Sequence, residues 1–405
     1  MKIRIDNRRM KNILMYSLLF LCSMNFLAKF HYFVYALFVF LILLQKARLH
    51  LNQKIFVYLA LNIVMALYSM DEGVLSALRC FSSFMMYVVG FNLAMWNRRS
   101  ESSENAVDRS FEGVIYTAIV SICIGSFSHF LLNAVINIGS VIGRNTIDVW
   151  SGEVMAATQQ ACLASLVLGL AVAVIFKPLK RYQKYLGIAC IVAVLAYNFV
   201  LSGRALIVLL CALCFVCALY MNKVEANVRK KLSFLLTILV CVLLLGLAFV
   251  FDVGGLKTRL MQTNLFERFS NFLNFFDNSA RNEAKMRFIV NGWKYPFGGN
   301  HMLEQYGYAH DLLLDGYDEF GIFGLLLLVA VLLMGVTSFY KLMRQPCYSS
   351  ELKIIFLGVY VSMLLVFCIE PILAGMVWLF VMFCFINGIM DGMRCTERRN
   401  KGEIK

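Results

Sequence analysis

Apolar runs long enough to cross a bilayer follow one another from residue 12 to residue 390, and they restrict this chain more than any other feature. A helix needs roughly 20 apolar residues to traverse about 30 Å of hydrocarbon. Hydrocarbon offers no partner to backbone N–H and C=O groups, so open spans of this kind are helices. Twelve are read, at roughly 12–28, 32–44, 55–70, 76–96, 111–138, 161–176, 186–201, 205–221, 232–251, 322–340, 354–369 and 376–390. Of the 405 residues, 60% are hydrophobic and 15% charged. Soluble domains have roughly 45–50% and 25%, which excludes an ordinary soluble enzyme. The fold class expected is all-α: a polytopic integral membrane protein of about twelve transmembrane helices with a long, partly helical extracytoplasmic loop.

The 38 Lys and Arg outnumber the 24 Asp and Glu, and their placement orients the spans. Basic residues gather in the N-terminal segment, in loops at 45–54, 97–110, 177–184, 222–231 and 341–353, and in the tail after 390. The short loops between them hold only Lys29, Arg144 and Arg204. Lys and Arg mark cytoplasmic loops, so both termini are placed in the cytoplasm. The basic surplus is then a topology signal, aided by anionic headgroups, and implies no nucleic-acid partner. Three regions follow: an N-terminal transmembrane bundle of about nine spans over 1–251, a large extracytoplasmic loop over 252–321, and C-terminal helices with a cytoplasmic tail over 322–405. A smaller outer loop runs over 139–160. Cys211, Cys214 and Cys217 have a spacing that would also suit a metal cluster, but they sit inside an unbroken span, where small polarizable residues pack.

The charged residues outside the cytoplasm need explaining. Arg204, in Ser202-Gly203-Arg204, stands at the outer end of a hairpin between two spans. A guanidinium beside hydrocarbon costs roughly 2.5 kcal/mol or more unless it snorkels or finds a partner. In the long loop, Ser279 to Phe288 reads as a helix with Ser279 as its N-cap. There Arg281 and Lys285 share a face, while Glu283 and Arg287 can pair on another. With Arg204, Arg281 and Lys285 would form a cationic pocket suited to a diphosphate. A solvated amphipathic helix is the plainer account of the same spacing. His310, one of five histidines, lies near the mouth of the membrane domain, and an imidazole suits proton abstraction from a sugar hydroxyl. A loop histidine is also commonly just a polar surface residue. Asp311, Asp315, Asp318 and Glu319 could orient it or hold a cation, or simply solvate a loop end.

Taken in order, Ser202-Gly203-Arg204, the Arg-bearing loop helix, Pro296-Phe297-Gly298-Gly299, His310 and Gly321-Ile322-Phe323-Gly324 resemble the O-antigen ligase/polymerase superfamily of bacterial membrane glycosyltransferases. The resemblance covers roughly residues 200–340. Gly143-Arg144 and Thr158-Gln159-Gln160-Ala161 are similar to the family's earlier outer loop. It implies a reaction on the outer face of the cytoplasmic membrane, with an undecaprenyl-diphosphate-linked glycan as donor and a second glycan as acceptor. Arg204 and Arg281 would hold the diphosphate, and His310 would be the general base. Lys285, Arg287 and Arg144 would be secondary donor contacts. No cofactor or metal is implied. A flippase and a chain-length regulator are the partners such an enzyme works beside.

Polymerase and ligase share this chemistry. A polymerase extends a lipid-linked surface polysaccharide of O-antigen or capsule type, whereas a ligase moves the finished chain to lipopolysaccharide core or another acceptor. Both an outer Arg-bearing loop and the long loop are present, which favours polymerase. From another class, a lipid-linked glycan or anion transporter would use the same arginines. Transporters commonly contain Gly- or Pro-broken helices near mid-membrane, whereas this chain has only four prolines and places its unusual polar residues near the surface.

Overall fold

Helices cover the apolar runs, several of them starting or ending beyond the run itself. The computed structural model describes residues 7–44, 49–99, 109–142, 144–201, 203, 205–224 and 280–400. In order these form α1 (Asn7–Ser23), α2 (Phe30–Leu44), α3 (Ile55–Tyr68), α4 (Val74–Cys80), α5 (Ser82–Arg99) and α6 (Arg109–Ile136). A short antiparallel hairpin, β1 (Asn145–Ile147) and β2 (Val154–Ala156), leads into α7 (Ala157–Phe176), α8 (Arg181–Val200) and α9 (Ala205–Val224). Then come α10 (Ala280–Asn291), α11 (His301–Tyr306), α12 (Leu312–Arg344), α13 (Ser350–Phe367), α14 (Ile372–Gly375) and α15 (Val377–Asn400).

Among the described residues, eight helical stretches are long and apolar enough to cross a membrane. Three shorter apolar helices, Met10–Ser23, Phe30–Leu44 and Ile55–Tyr68, accompany them. The protein is a largely helical, multi-pass membrane protein. Each predicted span falls on helix except 232–251, which lies outside the described residues. Cys217 of the suspected triplet is buried in the core with Leu213, while Cys211 is exposed on the same helix.

Helices α5 and α15 pack closely along their lengths, and glycine sets their spacing. Lipid tails are as apolar as leucine, so helices associate in membranes by close packing of small residues. Gly388 and Gly392 are four apart on α15. A Cβ at Gly388 would stand 2.1 Å from the Tyr87 carbonyl oxygen, and one at Gly90 would stand 2.1 Å from that of Phe385. Where these helices reach one end of the bundle, Lys54 Nζ meets Asp391 Oδ1 and Ser338 Oγ, each at 2.7 Å, and the Tyr87 hydroxyl donates to Asp391 Oδ2 at 2.9 Å. Glu112 accepts from the Ser349 amide at 2.8 Å, and Lys177 pairs with Glu351 at 3.6 Å. These contacts gather at one end the loops that the sequence places in the cytoplasm.

The opposite end departs from expectation. α12 starts at Leu312, well inside the stretch read as loop, and continues through Gly321. Gly321 has φ 67° and ψ −166°, which opens the helix and frees backbone groups. The Pro296–Gly299 turn fills the opening: the Ile322 amide donates to the Pro296 carbonyl at 2.9 Å, and the Gly299 and Asn300 amides donate to the Glu319 and Asp318 carbonyls at 3.3 and 2.9 Å. A Cβ at Gly321 would lie 2.6 Å from the Phe297 carbonyl carbon. Gly321→Ala therefore meets both the left-handed backbone and the packed turn. It should lose about 1–3 kcal/mol of stability, whereas Gly113→Ala, whose new methyl meets nothing within 4 Å, should match the parent or exceed it. Thermal unfolding in detergent measures both, and equal midpoints for the two variants would remove the argument.

Candidate functional site

The residues around the start of α12 hold one histidine in an unusual conformation. His310 has φ 57°, in the left-handed region that non-glycine residues seldom occupy. Its neighbours explain how it stays there. Asp315, buried in the first turns of α12, accepts the Ala309 amide at 2.8 Å and the Asp311 amide at 3.1 Å, one with each carboxylate oxygen. The two amides that flank His310 are thus clamped by one side chain. Asp311 in turn caps α12, accepting the Leu313 and Leu314 amides at 3.0 and 3.4 Å. Asp318 accepts the Met302 and Leu303 amides at 2.9 and 2.8 Å, which starts α11. Solvation of a loop end is therefore the wrong role for Asp315 and Asp318. Both are buried, and their oxygens satisfy backbone donors that would otherwise be stranded.

Two elements close around His310. Its Nδ1 lies 4.0 Å from Oε2 of Glu370, a buried carboxylate in the connection between α13 and α14. That separation is an ion-pair distance for an imidazolium and too long for a hydrogen bond. Lys285, on α10, fastens the connection to the histidine loop. Its Nζ donates to the Cys368 carbonyl at 2.8 Å and to Asp311 Oδ2 at 3.3 Å. The ammonium expected in a diphosphate pocket is thus engaged as a brace. Sequence reasoning missed Glu370, although a signal was present: it is the only charged residue between Lys353 and Asp391. An ionisable group at that depth is expensive and marks function by default.

The other sequence candidates lie as follows. Arg204 is outside the described residues. Arg281 stands in the first turn of α10, one turn before Lys285, and its side chain is outside the described set. Arg287 pairs with Glu283, as the spacing predicts, and lies 4.9 Å over the Tyr306 ring. Arg144 is half-buried beside the hairpin, where its carbonyl accepts the Ala157 amide at 2.9 Å. The start of α7 comes close to the end of α14, since the Gln159 amide nitrogen would be 3.1 Å from a Cβ at Gly375. The hairpin is pinned by a second histidine that sequence reasoning passed over. His129 Nε2 meets Asp148 Oδ1 at 2.5 Å, and Asn133 accepts the Val149 amide at 2.8 Å. Burial pushes the Asp148 carboxyl up, but His129 and the Ser151 amide and hydroxyl outweigh it and hold the group at about 2.

No family model matches this chain, and no curated protein matches it significantly. The chemistry must be read from the geometry. A strained imidazole beside a buried carboxylate, held by a carboxylate clamp and a lysine brace, can take up a proton and have the resulting charge stabilised. Strain that persists at such a point is supplied by its surroundings. His310→Gly relieves the left-handed backbone and should be about 1 kcal/mol more stable than His310→Ala, which loses the same imidazole. Asp315→Ala strands two amides and should cost about 1–3 kcal/mol. Unfolding midpoints in detergent check the pair. A glycine variant no more stable than the alanine variant would mean that His310 sits there without strain.

Proposed function

We propose that this protein is an inverting glycosyltransferase that moves an undecaprenyl-diphosphate-linked oligosaccharide onto an acceptor glycan at the outer face of the bacterial cytoplasmic membrane. The surface-polysaccharide polymerase reaction fits it best. The observation that carries the reading is His310, clamped by Asp315 and set 4.0 Å from Glu370 where the membrane helices end.

His310 would take the proton from the acceptor hydroxyl as its oxygen attacks the anomeric carbon. The bond from that carbon to the diphosphate oxygen breaks, and lipid diphosphate departs with its electron pair. Two unit charges at 4.0 Å attract by about 4 kcal/mol at an effective dielectric of about 20. Glu370 would therefore stabilise the imidazolium formed. The leaving group is already activated, so positioning and charge neutralisation carry most of the remaining burden. Arg204 and Arg281 are the guanidinium groups assigned to the diphosphate. In this reading Lys285 acts by holding Asp311 against the Cys368 turn.

The broken helix at Gly321 bears on the transport alternative. Broken transporter helices present open ends to a substrate. Here the gap is occupied by the protein's own Pro296–Gly299 turn. Neutral polar side chains also lie within the spans, where Asn62, Ser83, Ser165, Ser362 and Asn387 are buried. Several are locally bonded, as Ser165 is to the Cys162 carbonyl at 2.7 Å and Ser362 to that of Val359 at 2.8 Å.

Transfer from a lipid diphosphate glycan by the purified protein in detergent tests the reading. His310→Ala should abolish product while the protein still inserts, and product at the parental rate and length would remove His310 from the chemistry. Deletion of the gene should leave single repeats on the final acceptor if the protein is a polymerase. Long chains stranded on the carrier lipid would make it a ligase. The pairing with Glu370 has its own signature. Glu370→Gln keeps the shape and removes the carboxylate, and it should lower kcat/KM about tenfold or more with the protein still folded. Transfer at the parental rate would take Glu370 out of the mechanism.

A further inference from the structure

The helix α10 carries a second surface that the site does not use. Met286, Ile289, Val290 and Trp293 recur at the spacing of one helical face and its continuation. They are 59, 50, 66 and 70% exposed. The opposite side is spoken for. Phe288 is buried with Met302 and Ala309 in a small core separate from that of the bundle, and Lys285 is bonded to Cys368 and Asp311. The apolar stripe therefore has a fixed direction. Trp293 is held in place as well, since the Tyr317 hydroxyl donates to the Gly292 carbonyl at 3.1 Å and the two rings lie 6.0 Å apart.

We infer that this face of α10 rests in the lipid bilayer, so that the helix is an interfacial element rather than a helix in free solvent. Three observations select lipid as the occupant. First, α10 lies at the depth where membrane helices end, because Lys285 bonds to the carbonyl directly after the last turn of α13 and Trp293 packs against the first turns of α12. Second, the stripe leads into the flank of the bundle. Phe297, 70% exposed, accepts a hydrogen bond from the Tyr68 hydroxyl at the end of α3, beside the exposed Ile63, Leu67 and Met70. That flank belongs to the surface a spanning bundle shows to lipid. Third, cations stand at the polar rim, with Lys294 exposed there and Arg287, itself paired with Glu283, at the edge. Tryptophan with flanking cations above an aliphatic face is the composition of helices that lie at the headgroup boundary. This seating brings the first turn of α10, which contains Arg281, to the level of lipid phosphates.

The inference stands apart from the glycosyltransferase reading, and its test needs no activity. The chain has four tryptophans, so the difference in emission between the parent protein and Trp293→Phe isolates Trp293. Both are reconstituted into vesicles of phosphatidylcholine with phosphatidylglycerol. Vesicles with acyl chains brominated near the headgroup are compared with unbrominated ones and with aqueous iodide. The expected result is that shallow bromine quenches the Trp293 component at least twofold, while iodide quenches it several-fold less than free N-acetyltryptophanamide. A second variant, Met286→Ser with Val290→Ser, should restore iodide access without unfolding the bundle. Free access of iodide to Trp293 in the parent protein would overturn the inference. Protection from iodide without bromine quenching would overturn it too, because a protein surface would then cover the stripe.

Discussion

In hydrocarbon, every backbone donor and acceptor has to be answered from within the chain, and the His310 end of this protein is organised by that requirement. A membrane helix that runs unbroken meets it alone. α12 does not run unbroken, since Gly321 turns to a positive φ and opens it. The freed groups are answered by the Pro296–Gly299 turn, and the amides of the adjoining loop by Asp311, Asp315 and Asp318. Within the acidic run that reads as loop solvation, Asp315 and Asp318 are thus buried acceptors and the half-buried Asp311 is a helix cap. Unmade hydrogen bonds there would cost about 1–3 kcal/mol each, and that cost keeps the carboxylates in place.

The site follows from the same arrangement. Asp315 grips the chain on both sides of His310, and the histidine is left in a backbone conformation it would not choose. A second tier of contacts, through Lys285, draws the α13–α14 connection over it and sets Glu370 within ion-pair distance. Proton acceptance by an imidazole gains from a fixed position and a nearby negative charge, and each arises here from a backbone bonding requirement met elsewhere. Close helix packing through Gly90 and Gly388 and the Lys54–Asp391 cluster join α3, α5, α12 and α15 at the other end of the bundle. The helices that carry the site are therefore anchored away from it.

Much of the fold is legible in the sequence. Apolar length alone marks helices because the bilayer permits little else, and the described helices fall where those runs lie. The pairing of Glu283 with Arg287 was also legible, because four-residue spacing on a helix is a local relation. Glu370 was not picked out. It lies sixty residues from His310 in sequence, and no periodicity joins the two. The bracing contact of Lys285 was not legible for a related reason, since its share of a helix face with Arg281 says nothing of the Cys368 carbonyl to which it donates.

The sequence by itself determined a helical chain that crosses a membrane repeatedly, together with a basic-loop pattern that sorts its two ends. Burial in lipid is a property of composition and length, and those can be counted along the chain. Only the tertiary structure decided which acid became a clamp, which a cap and which the partner of His310. Those roles depend on distances between segments far apart in sequence, and such distances are set by how the helices pack.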